Sequence, residues 1–103
     1  MIIYNTTFHL EADILEAGLR YLREEYIPQA AGSGFLRTPR LMRVMTAPEE
    51  SGGSYSLQFH VKNVETLEYW LQQEGSTLQR RLTERFGQKL VGFTTLLEEM
   101  ELA

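Results

Sequence analysis

A chain of 103 residues has room for one hydrophobic core, so residues 1–103 are expected to form a single domain. At 43% hydrophobic and 11% aromatic the composition is globular, and a formal net charge of -4 argues against a general nucleic-acid binder, which needs a clustered basic surface. The lack of cysteine removes disulfides, thiolate catalysis and Cys-ligated zinc or iron–sulfur centres together.

The opening stretch Ile2-Ile3-Tyr4-Asn5-Thr6-Thr7-Phe8-His9 is β-branched and aromatic, with no Lys, Arg, Glu, Gly or Pro. It reads as an interior strand. Alternation gives it two faces: Ile2, Tyr4, Thr6 and Phe8 on one, Ile3, Asn5, Thr7 and His9 on the other. Met1-Ile2-Ile3-Tyr4 carries no basic leader signal, and no apolar run approaches the ~20 residues of a membrane span. The expectation is a cytoplasmic protein that does not enter a membrane.

After His9 the apolar period changes from two to about 3.6. Leu15, Leu19, Leu22 and Tyr26 share one side of a helix, flanked by Ile14 and Ile27. Glu11, Asp13 and Glu16 suit its positive end, and Asp13 with Glu16 has capping-box spacing. Pro28 predicts a kink or stop near Ile27, and Gly32-Ser33-Gly34 ends the helix. Arg40 to Thr46 alternates weakly and, carrying arginines, reads as an edge strand. Residues 47–53, Ala-Pro-Glu-Glu-Ser-Gly-Gly, read as a mobile hairpin loop. In the next strand Tyr55, Leu57, Phe59 and Val61 oppose Ser54, Ser56, Gln58 and His60. Asn63 is a good N-cap for a second helix lined by Val64, Leu67, Trp70 and Leu71. Gly75 predicts a break or kink, with Ser76 and Gln79 forming a fresh capping box before Leu78, Leu82 and Phe86. Gly87 closes that piece, Leu90 to Leu97 is the last strand, and residues 98–101 trail off as an acidic tail.

The order β-α-β-β-α-β, joined by right-handed crossovers, is that of an α+β ferredoxin-like domain. Its four-stranded antiparallel sheet has the order 4-1-3-2, with both helices on one face. With Leu57, Phe59 and Val61 turned to the helices, Ser56, Gln58 and His60 point to the open face with Asn5, Thr7 and His9. Leu90 and Leu96 share a parity with Thr94, so the last strand exposes apolar groups on any orientation. An exposed patch of that kind marks a partner surface. The expected assembly is a homodimer with facing sheets.

Met1–Phe8, Tyr26-Ile27-Pro28, Tyr55–Phe59 and Val91–Leu96 together resemble a family of short Bacteroidetes proteins known as a domain of unknown function (number 4286). The resemblance covers nearly the whole chain. It implies the fold and a cytoplasmic bacterial source, and brings no activity with it. A broader likeness is to the dimeric α/β-barrel superfamily, which includes antibiotic-biosynthesis monooxygenases and haem-degrading monooxygenases. The haem-degrading members use an Asn on the first strand, a Trp on the second helix and a His ten residues later. Asn5 and Trp70 match the first two positions, and Arg80 stands at the third. An arginine cannot supply an axial imidazole, so haem degradation does not carry over. A cofactor-free oxygenase could still use Asn and Arg as donors to a substrate oxyanion.

Each candidate also has a plainer role. Asn5 is either a ligand donor or a cross-strand hydrogen-bonding residue. Trp70 shares a face with core residues, and Thr6, Thr7, Thr94 and Thr95 can bond across strands. His9 and His60 fall at opposite ends of the sheet, so one subunit cannot use both on one metal. Arg37, Arg40 and Arg43 form one basic group and Arg80, Arg81, Arg85 and Lys89 another, read more simply as solvated charge than as anion sites. The expectation is therefore a dimeric ligand- or partner-binding module without catalysis, cofactor or metal. Asn5, Thr7, Gln58, His60 and Thr94 are its ligand or interface residues. The alternative is a cofactor-independent oxygenase or isomerase in which Asn5, Trp70 and Arg80 converge on a cavity. A third reading is an interaction module using the acidic tail or residues 49–53.

Overall fold

A computed structural model describes residues 1–45 and 52–102. Strand β1 (Ile2–Leu10) pairs antiparallel with β3 (Gly53–Val61) and with β4 (Leu90–Glu98), and β2 (Arg37–Arg43) adds to the far side of β3. The sheet order β2-β3-β1-β4 is the one expected, with the arginine-bearing strand at an edge and the opening strand inside. The β1–β3 register runs without a slip from Ile2 opposite Val61 to Leu10 opposite Gly53. Most of the 47–53 turn lies outside the described residues, and Gly53 already belongs to β3.

Two helical arms cover one face of the sheet. The first comprises α1 (Leu15–Tyr21), a π-helical turn (Leu22–Tyr26) and α2 (Ile27–Gly32); the second comprises α3 (Val64–Trp70), a π-helical turn (Leu71–Gly75) and α4 (Ser76–Phe86). The core lies where Leu22, Tyr26, Leu67, Trp70, Leu78 and Leu82 meet Tyr4, Phe8, Leu10, Leu57, Phe59 and Val61. Side chains at i and i+2 on β1 and β3 supply the sheet half of this layer, as alternation requires.

The helix interruptions differ from expectation in an instructive way. Pro28 does not stop the first arm at Ile27; helix continues to Gly32. The Ile27 N–H reaches back five residues to the Leu22 carbonyl, widening the turn just before the proline. A wide turn relieves the clash that a proline ring makes with the carbonyl four residues earlier. Within α1 the buried side is that of Gly18 and Tyr21, while Leu15 and Leu19 are only partly buried; the extra residue of the π turn then keeps Tyr26 in line with Leu22. Gly75 likewise produces no break. The Ser76 N–H bonds to the Leu71 carbonyl, and Ser76 makes no side-chain cap. Nor does Asp13 cap the first arm, which starts from a 3-10 turn at Ala12–Ile14 without a side-chain cap bond. Asn63 does cap α3: its Oδ1 accepts from the Thr66 amide at 2.8 Å and from the Thr66 hydroxyl at 2.7 Å.

The arms are tied to each other and to the sheet at the surface. Arg81 donates to Gln29 at 2.9 Å, and Lys89, just before β4, pairs with Asp13. The hydrogen bond from Lys89 holds the Asp13 carboxyl below its ordinary 3.8, and the same bond raises Lys89 above 10.5. Asp13 therefore contributes stability that is complete above pH 3.8 and lost as pH falls through its lowered value. Lys89 contributes stability that is complete below pH 10.5 and lost as pH rises through its raised value. Asp13→Asn is expected to be less stable than the parent at neutral pH. The gap should narrow as pH falls below 3.8, and also in high salt, as followed by urea denaturation.

Gly75 is buried because Trp70 lies flat against its backbone; a Cβ there would stand 2.8 Å from Trp70 Cζ3 and 3.0 Å from Leu71 Cδ2. Trp70 is fully enclosed and cannot retreat. Gly75→Ala should therefore destabilise by about 1–3 kcal/mol despite alanine's better helix propensity. Gly32→Ala, whose Cβ would meet nothing within 4 Å, should be neutral or slightly stabilising. Denaturation midpoints of the two variants check the contrast.

Candidate functional site

Cross-strand partners share a face, so the register settles what the helix-free side presents. Asn5 is opposite Gln58 on one flank and Thr95 on the other; Thr7 is opposite Ser56 and Phe93; Ile3 is opposite His60 and Leu97. Asn5, Thr7, Gln58 and His60 thus lie on the open face, as alternation indicated.

Asn5 is only 9% exposed although no helix covers it. Ser56 donates its hydroxyl to Asn5 Oδ1 at 2.5 Å, and Asn5 Nδ2 donates to Thr7 Oγ1 at 3.4 Å. The centre of the face is therefore a small polar network held by its own strands. At one end His9 Nδ1 and Ser54 Oγ share a hydrogen bond of 3.1 Å; His60 stands at the other, six residues along β3. Val91, Phe93 and Leu97 on β4 carry the apolar part of the face and are 50%, 66% and 42% exposed. Past Leu90 every residue of β4 is exposed, because the helical layer does not extend over that edge.

The other candidates fall elsewhere. Trp70 is buried on the helix side of the sheet, edge-on to Tyr4 with ring centroids 6.1 Å apart, and its Nε1 has no hydrogen-bond partner. Arg80 is exposed on α4. Thr94 pairs with Thr6, so it faces the helix side and not the surface shared by Thr7 and Gln58. Asn5, Trp70 and Arg80 do not converge: the sheet lies between the first two. In the core, burial pushes the Tyr26 phenol far above its ordinary value, with Tyr4 and Tyr21 adding to the effect. Among the described residues no three His, Asp or Glu side chains gather as a metal site, and no helix is long and apolar enough to cross a membrane.

Two clefts among the described residues lie at the β2 edge. One of about 460 Å³ lies on the helix side of the β2 edge, between Arg23, Ile27, Leu41, Arg43 and Tyr55. The other, about 490 Å³, opens at the start of β2 between Phe35, Arg37, His60, Lys62 and Thr66. Sequence periodicity began β2 at Arg40 and left Arg37 outside it. Pro39 was the available signal, since proline inside a strand marks an edge or a bulge.

A family model, Domain of unknown function (DUF4286), matches residues 1–100. The chain belongs to that family. No curated protein matches it. Among solved structures it is similar to an ethyl tert-butyl ether d (EthD) family protein from Bacillus halodurans C-125, with 16% identity, a TM-score of 0.74, and coverage of 97% of this chain and 100% of that one. An antibiotic biosynthesis monooxygenase shares 12% identity at a TM-score of 0.72, covering 98% and 100%. A dimeric ferredoxin-like protein from an uncultured marine organism shares 14% at 0.67, covering 98% and 97%. At these identities the likeness shows a shared ferredoxin-like fold.

The Asn5 network makes a separable prediction. Ser56→Ala leaves Asn5 Oδ1 without its donor in a nearly closed position, costing about 1–2 kcal/mol. Thr7→Ala, which removes only the long 3.4 Å bond, should cost clearly less. Urea midpoints of the two variants measure the difference.

Proposed function

We propose that this chain is a small cytoplasmic bacterial binding module, active as a homodimer whose two sheets face each other, with no chemistry performed by the groups between them. The observation that carries the reading is Phe93, 66% exposed on the open face between Val91 and Leu97. A free monomer gains nothing from holding three apolar side chains in water along one face of a rigid strand. The flanking centre tolerates closure: the bonds from Ser56 to Asn5 and from Asn5 to Thr7 are made within the sheet and survive covering. Four strands about 4.8 Å apart, three of nine residues and one of seven, give a face of roughly 20 by 30 Å. With side-chain relief, that approaches the ~800 Å² per partner of a stable interface. The solved relative described as a dimeric ferredoxin-like protein supports the same association.

A cofactor-independent oxygenase or isomerase built on Asn5, Trp70 and Arg80 has less behind it, because those side chains share no cleft. The test of the favoured reading is mass in solution by light scattering. The native chain should run at twice its 11.9 kDa, and Phe93→Asp combined with Leu97→Asp should run at one chain mass with its circular dichroism retained. A native chain that stays at one chain mass at high concentration sinks the proposal.

A further inference from the structure

The cleft at the start of β2 gathers three basic side chains, where the helix-side cleft holds Arg23 and Arg43. In a chain with 14 acidic and 10 basic residues, it is lined by Arg37, His60 and Lys62, and among the described residues no carboxylate lines it. Among the described residues none of these three joins an ion pair; the pairs formed use Glu16, Glu25 and Asp13. One wall is aromatic. Phe35, 37% exposed, meets Tyr69, 51% exposed, edge to face at 5.5 Å, so two rings are held together at the water boundary. The volume of about 490 Å³ is within the range of small-molecule sites.

The backbone is bent to make this arrangement. Arg37 is opposite His60 and Arg40 is opposite Gln58, so β2 spends three steps where β3 spends two. The extra residue lies at Thr38-Pro39, where Thr38 adopts φ 53°, a left-handed conformation that a β-branched residue strongly resists. Without the extra residue Arg37 and Arg40 would point to opposite faces. With it, Arg37 stands on the side of the sheet that carries His60, and Lys62 continues the same parity two residues on. Strain of this kind persists where the side chain it positions has a use.

We infer that this cleft binds a small organic anion with a flat apolar body, the charge held by Arg37 and Lys62 with His60, and the body resting against Phe35. Arg37 offers a planar fork of donors, Lys62 a point charge, and His60 one further N–H. The site is complete in one chain and does not depend on self-association.

The test is an amide-shift NMR titration of the full chain with benzoate, phenyl phosphate, inorganic phosphate and benzyl alcohol. Benzoate or phenyl phosphate should give saturable shifts at residues 34–37, 60–62 and 66, and the tighter of the two names the headgroup. Inorganic phosphate and benzyl alcohol should each bind about tenfold more weakly or worse, having lost one half of the recognition. Arg37→Ala and Lys62→Ala, both at exposed positions, should each weaken the aryl anion several-fold. Phe35→Ala should weaken the aryl anion and leave inorganic phosphate unchanged. Arg43→Ala, in the helix-side cleft, should change nothing. Benzyl alcohol binding as well as benzoate, equal losses from Arg43→Ala and Arg37→Ala, or no saturable shift to millimolar concentration each overturns the assignment. Repeating the titration on the Phe93→Asp, Leu97→Asp variant separates it from the dimer: the cleft should bind there equally well.

Discussion

The unbroken pairing of β1 with β3 is the constraint from which the other features follow. Nine consecutive partners, from Ile2 and Val61 to Leu10 and Gly53, fix the face of every side chain on both central strands. A slip of one residue would turn either Tyr4 and Phe8 or Leu57 and Phe59 towards solvent, and bring Asn5 or Gln58 into the core. The penalty for that exchange, large apolar side chains exposed and an amide buried, is what makes the register unique. The helical arms then have only one face on which to pack, and the other side is left with whatever the alternate positions carry.

That period-two logic is why so much of the fold could be read from the sequence. The assignment of Asn5, Thr7, Gln58 and His60 to one face needs only parity, and the structure keeps parity over the whole of β1 and β3. The helices were less legible. Pro28 and Gly75 were recognised as punctuation, but punctuation can be absorbed by a break or by one wide turn, and local chemistry does not distinguish them. The choice is made by packing: Trp70 closes over Gly75, and Tyr26, at the end of the first π turn, meets Phe8 edge-on at 5.9 Å. Each π turn also shifts the phase of the apolar stripe for the residues that follow it.

The candidate sites divide along the same line. Residues on β1 and β3 were placed on their faces correctly by counting; Thr94 on β4, and residues beyond an irregularity, were not. Arg37 could not be assigned to the face of His60, because the extra residue at Thr38-Pro39 inverts the parity between Arg37 and Arg40. Trp70 was legible as a core aromatic from its helical spacing with Leu67, and its separation from Asn5 follows from the strand alternation. What no sequence pattern revealed was the reach of the helical layer. Leu96 is on the covered side by parity, yet it is 48% exposed because the arms stop short of β4.

The open face is consequently graded from edge to edge. Val91, Phe93 and Leu97 make the β4 side apolar, Asn5, Thr7 and Ser56 make the middle polar and self-satisfied, and Arg37 and Arg40 make the β2 side cationic. The three zones have different energetics. The middle is indifferent to being wet or covered, since its hydrogen bonds are internal and survive either way. The β4 zone favours being covered, because its apolar surface has no other means of leaving water. The β2 zone resists being covered by anything that does not bring negative charge, because burying an unpaired guanidinium is costly. A second copy of a chain with this gradient can satisfy the β4 zone, whereas the guanidinium at the bulge calls for an anion. Two kinds of occupant on one sheet are therefore a consequence of charge and apolar area being sorted to opposite edges, with His60 beside the cationic one.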